Sequence, residues 1–183
     1  MKWSISVLAC VMCVACYAGD LKEYRLSSNC GEGSVVITDG FVDLCAMPET
    51  LRNTRILNAS GFMLFWSESK HLSIKTHTDR EWGYPGSPMG AVPAALVTGE
   101  FSQLENDALV DELKNIRNAM GDFQPEDIGK ATGANVKVYF LIGEPSSYVF
   151  VTNEGKPRHF SQLTIHGFTK NEVIEHVVRG VLD

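Results

Sequence analysis

The chain has no apolar run of membrane-spanning length. Its longest such stretch, Trp3 to Val14, falls short of the ~20 residues that a spanning helix requires. It also lacks a basic excess: 16 Lys and Arg stand against 22 Asp and Glu, a net charge of −6. That balance supplies no drive toward phosphate backbones, so nucleic acid is excluded as an expected partner. No G-x-S-x-G elbow is present, and Gly86-Ser87-Pro88 stands in a proline loop without the strand-to-helix turn that exposes a nucleophile. The glycine pair of "GEGS", residues 31 to 34, lacks the lysine and following helix of a phosphate cradle. Repeats, low-complexity tracts and charged tails are missing too. Finally, Cys10, Cys13 and Cys16 carry iron–sulfur spacing, but the fourth cysteine of such a motif is absent, with Asp20-Leu21 in the region where it and its proline would fall.

What is present explains the three cysteines differently. Residues 1 to 18 open with Met-Lys, continue through a short apolar run and end in "ACYA", a small-x-small cleavage site. This pattern predicts a secretory signal peptide. A variant reading cuts before Cys16, which would then carry a lipid anchor as in bacterial lipoproteins. Removing the leader takes Lys2 with it and leaves 15 basic against 22 acidic residues, a net charge of −7. Residues 19 to 183 suffice for one domain with its own core. The expected location is secreted or periplasmic, with no membrane span.

Two cysteines remain, Cys30 and Cys45, and an oxidising compartment predicts a disulfide between them. "VVITDGFVDL" reads as a hairpin about Asp39-Gly40, with Thr38 facing Phe41 and Ser34 facing Cys45. A straight strand would then leave Cys30 roughly 13 Å beyond its partner, whereas bridged Cα atoms lie within about 7 Å. The segment "NCGEGS" must therefore fold back, using Gly31 or Gly33.

Further along, "MPETLRNTR" is a polar connection, and "SGFMLFWSES" with "KHLSIKTHT" predicts two strands about a turn at Ser67 to Lys70. Phe62, Leu64 and Trp66 share one face of the first and Met63 and Phe65 the other, which predicts a central strand covered on both sides. Residues 82 to 93, with three prolines and three glycines, predict a long irregular loop. A helix is expected from a Ser102/Glu105 capping box to Gly121, and a second, short one in "QPEDIGKATG" between Pro125 and Gly133. Strands beginning near Val136, Ser147 and Phe160 form an antiparallel meander. The last helix carries a Thr169/Glu172 capping box, a Phe168/Val173 staple and an apolar stripe through Val173, Ile174, Val177, Val178, Val181 and Leu182. The predicted class is α+β, an antiparallel sheet with helices packed on it.

The order of these elements, from "GFVDLCAMPETL" to "VYFLIGEPSSYVFVTNEGKPRHFSQLTIHGFTKNEVIEHVVRGV", resembles the layout of the PsbP-like superfamily over roughly residues 34 to 182. That superfamily holds mostly accessory or binding proteins, some lipid-anchored, so the resemblance implies a non-catalytic role. It carries no site residue over.

Candidate sites follow from chemistry. His71 and His77 on one strand would lie about 20 Å apart, and His77 with Asp79 gives two ligands where zinc takes three or four; no metal or other cofactor is expected. His166 near Glu172 and His176, or His77 with a carboxylate, could serve a small hydrolase. The loop residues Trp82, Tyr84 and Met89 are of types that anchor protein interfaces, and Lys156 and Arg158 at the tip of "NEGKPR" add steering charge. Asn58-Ala59-Ser60 is a glycosylation sequon. Together these features predict an exported, non-catalytic binding protein, of the inhibitor or immunity type, that occludes a protein such as a toxin or lytic enzyme. The alternatives are an accessory lipoprotein and the His/carboxylate hydrolase.

Overall fold

A computed structural model describes residues 21–58, 61–119 and 125–183. The predicted leader with its three cysteines, the predicted helix end at Met120 and Gly121, and the last two sequon residues lie outside these ranges. Among the described residues there are ten strands: β1 Lys22–Arg25, β2 Val35–Thr38, β3 Asp43–Ala46, β4 Arg55–Asn58, β5 Phe62–Ser67, β6 Lys70–Thr78, β7 Asp127–Thr132, β8 Val136–Ile142, β9 Ser146–Asn153 and β10 His159–His166. Eight of them form one sheet in the order β1-β7-β8-β9-β10-β6-β5-β4, while β2 and β3 form a separate ribbon. The pairings in the large sheet are antiparallel apart from β1 with β7, which is parallel. The class is α+β as expected, with a mixed sheet in place of a purely antiparallel one.

Alternation along the meander builds two cores from one sheet. In β9, Val149 and Val151 point to one side and Phe150 to the other, as a period of two requires. On the first side the strands carry the terminal helix, α3 Lys170–Glu172 running directly into a π-wound stretch Val173–Val178. Its Val173, Ile174, Val177 and Val178 pack with Val138, Phe140, Leu163 and Ile165. On the second side α1 Val92–Thr98 and α2 Asp107–Ala119 place Leu96, Leu109 and Leu113 with Leu141, Phe150 and Phe160. The start of α3 is set locally, because Thr169 accepts from the Glu172 N–H and Glu172 accepts from the Thr169 N–H. The predicted stripe ends early: Val181 and Leu182 leave the helix and bridge to Leu44 and Ser27.

Several expectations are corrected. "QPEDIGKATG" is no helix: its residues Asp127–Thr132 form β7, with Asp127, Gly129 and Ala131 buried in alternation. Residues 82 to 93 are not wholly irregular, since a 3-10 turn at Met89–Ala91 leads into α1 and Pro93 sits in its first turn, where a missing N–H costs nothing. The cap of α2 is Asn106, whose Oδ1 accepts from the Leu109 N–H at 3.1 Å, and not Ser102. The polar connection holds a 3-10 turn at Pro48–Leu51 and runs at its last residue, Arg55, into β4, a strand the sequence did not predict. Strand β5 is next to the sheet edge, and Met63 and Phe65 are half-buried, so it is not the doubly covered central strand predicted.

In the ribbon Thr38 pairs with Asp43 and Val36 with Cys45, two positions from the predicted register. The Asp39 side chain is responsible, accepting from the Phe41 and Val42 N–H groups at 2.9 and 2.8 Å and opening the turn to four residues. The Cys30–Cys45 disulfide forms, with Cα atoms 5.5 Å apart. The fold-back it requires is a turn in which the Ser34 N–H donates to the Gly31 carbonyl and Gly33 takes φ +80°, a backbone state that glycine enters without a Cβ penalty.

Candidate functional site

Of the predicted contact residues, Trp82, Tyr84 and Met89 turn inward to the second core, whereas Lys156 and Arg158 lie at the surface. Met89 is completely buried and belongs to the second core, which removes it as a contact residue. Trp82 is part-buried edge-on against Phe160 and donates its indole N–H to His77 Nδ1 at 3.2 Å. The Tyr84 hydroxyl donates to Glu112 on α2. Arg158 reaches back to the buried Asp79, 3.4 Å away, whose carboxylate also accepts the Gly86 N–H at 2.6 Å. Lys156 donates to the Gly40 carbonyl and lies over the Phe41 ring. These side chains hold the loop and the β9–β10 turn in place, and Lys156 and Arg158 remain exposed.

A different region is concave. A cleft of about 510 Å³ opens between the ribbon, the end of β5 with the start of β6, and the terminal helix. Its floor is apolar, formed by Ile37, Leu44, Leu64, Leu72 and Val177. One wall is the disulfide-tied segment with Gly31, Ser34 and Cys45; the opposite wall is Trp66 edge-on to Phe168 at 5.2 Å. The Trp66 indole N–H donates to the Thr50 carbonyl, which fixes that wall. At the rim Lys70 pairs with Glu172 at 2.6 Å and lies 4.4 Å from the Phe168 ring centre, while Glu175 pairs with Arg179 at 3.1 Å. An apolar body with a few fixed polar groups at its mouth is the usual make-up of a binding cleft. Both rim carboxylates are engaged by cations, so the arrangement offers burial and orientation more readily than proton transfer.

No family model, curated protein or solved structure matches this chain. The likeness to the PsbP-like layout therefore rests on element order alone.

Of the histidines the sequence singled out, His176 lines the cleft beside Glu175, and His71, His77 and His166 fall elsewhere. His71 and His166 are cross-strand neighbours whose rings stack at 5.1 Å, and His166 Nδ1 shares a hydrogen bond of 3.0 Å with the Ser146 hydroxyl. His77 stacks on Phe160 at 4.9 Å. Among the described residues no carboxylate is hydrogen-bonded to any of these three, and Glu172, expected beside His166, is instead the helix cap and the partner of Lys70. No group of three or more metal-ligating side chains occurs among them either.

Titration gives one prediction. The Gly86 N–H, aided by Arg158, lowers Asp79, and Lys70 lowers Glu172. Burial pushes Asp127 up, but Lys170 and Lys22 together outweigh it and its net shift is downward. The Ala134 and Asn135 N–H groups lower Asp183. Burial, then the charge of His166, lowers His71, and burial, then Lys75, lowers His77. Each of these groups binds its proton less well folded than unfolded, so its contribution is complete above the unfolded pKa and is lost as pH falls through the folded one. Calorimetric melting temperatures should be level from about pH 7 to 9, decline below about 6.5 as the histidines protonate, and fall again below about 4 with the carboxyls. A melting temperature that rises between pH 7 and 5 would contradict these assignments.

Glu172, His176 and Cys45 were singled out in the sequence for other roles, and the cleft as a whole was missed because its residues come from segments 27–51, 64–72 and 168–180, which no local pattern joins. The two cysteines were the one available signal, since a bridge there had to fold the "NCGEGS" segment back over something.

Proposed function

We propose that this is an exported binding protein that acts by occupying its partner and not by chemistry, and that an apolar segment of the partner protein enters the cleft beside the terminal helix. The observation that carries this reading is the cleft itself, a volume of about 510 Å³ with an apolar floor and charge-paired rim. An inhibitor or immunity role, with a toxin or lytic enzyme as partner, agrees with the acidic charge, the disulfide and the leader sequence.

The test fills the cleft. Ala46 borders it on β3, and Ala46→Trp should abolish capture of the partner in a pull-down from the native compartment while leaving the disulfide and the melting temperature close to wild type. Trp82→Ala with Tyr84→Ala should retain capture. The opposite pattern would move the interface to the 82 to 88 loop.

A further inference from the structure

The two edges of the large sheet differ in character. At one edge, β1 carries Lys22, Glu23 and Arg25, and Lys22 and Glu23 are ion-paired to Asp127 and Lys130 of the neighbouring strand. Charge of this kind keeps an edge from recruiting another strand. At the other edge, β4 reads Arg-Ile-Leu-Asn with all four residues exposed. Ile56 at 62% and Leu57 at 54% are the most exposed large apolar side chains among the described residues. The backbone groups that β4 turns away from β5 have no hydrogen-bond partner among the described residues.

The segment is also complementary to itself. A two-fold axis that continues the sheet antiparallel must pass through a residue, because opposite side chains have to share a face. With the axis at Ile56, Ile56 meets Ile56 of the second copy, Arg55 meets Leu57, and Thr54 meets Asn58. Apolar meets apolar at the centre, and no like charges lie directly opposite. Each arginine stem can lie along a leucine while its guanidinium stays in water. An axis at Leu57 would instead set Ile56 against Asn58.

We propose that two copies of this chain pair through β4 in the Ile56-centred register, extending the sheet across a two-fold axis. The contact is small and belongs to the weak, reversible class of interface.

Sedimentation of the wild-type protein should show a monomer–dimer equilibrium at concentrations up to roughly 100 μM, as such interfaces allow. Ile56→Lys sets two ammonium groups face to face and should leave monomer only, with an unchanged melting temperature because the site is exposed. Under mild oxidation Ile56→Cys should form a covalent dimer, whereas Leu57→Cys should not, since residues directly opposite lie about 4.5–5.5 Å apart and diagonal ones about 7–8 Å. A wild-type protein that is monomeric at every concentration, or equal cross-linking by the two cysteine variants, would overturn the proposal. Neither outcome bears on the cleft.

Discussion

Replacing Cys30 and Cys45 together by serine should lower the stability of the protein by about 3 kcal/mol, the loop-closure contribution expected for cysteines 15 residues apart. For a chain of this size that is a fall of roughly 6–12 °C in melting temperature. The loss should be spread unevenly. β3 is held independently of the bridge, because the Cys45 N–H donates to the Gly180 carbonyl at 2.7 Å and the Leu182 N–H donates to the Asp43 carbonyl at 2.8 Å. The segment from Ser27 to Ser34, one wall of the cleft, is tied at its start, where the Asp183 N–H donates to the Ser27 carbonyl at 3.0 Å, and its residues from Ser28 to Ser34 should loosen first. The variant should thus keep its sheet, seen as unchanged far-ultraviolet dichroism below the transition, yet lose partner capture. Reduced wild type should behave the same way; reduced and oxidised protein melting together would show that the bridge constrains nothing.

Gly129→Ala should cost a comparable amount, about 3 kcal/mol, the upper range for forcing atoms into a filled core. A Cβ at this position would stand 2.3 Å from Phe140 Cζ and 2.4 Å from the Lys22 carbonyl oxygen. Phe140 is completely buried and has no room to retreat. The relief available is for β1 to move off β7, because Lys22 pairs with Gly129 and β1 has no second strand neighbour. Backbone amides of Lys22 to Arg25 should then exchange at least tenfold faster, while those of β8 to β10 change little. Stability within 0.5 kcal/mol of wild type, the range of an ordinary surface substitution, would mean that the strand does not approach Phe140 this closely.

The same glycine shows why parts of the fold were hard to read. Gly129 in "QPEDIGKATG", with Pro125 ahead and Gly133 behind, imitates the boundaries of a short helix; it is there because two strands and a phenyl ring converge on its Cα. That is a tertiary fact with no local signature. β4 was hidden for the opposite reason: Ile56 and Leu57 are both exposed, so no alternation of apolar and polar residues marks it. By contrast the Thr169/Glu172 cap and the β8 to β10 meander were legible, because hydrogen bonds three residues apart and inward-facing alternation are written into contiguous sequence. The ribbon was half legible. Its strands and its disulfide followed from composition, but its register depended on which backbone groups the Asp39 carboxylate would engage.

Hydrogen–deuterium exchange on the protein with its captured partner bound tests the central claim most directly. The cleft account predicts new protection at Leu44 to Met47 and from Glu172 to Gly180, with the 80 to 88 segment unaltered. Protection confined to residues 80 to 88 and 153 to 158 would contradict it.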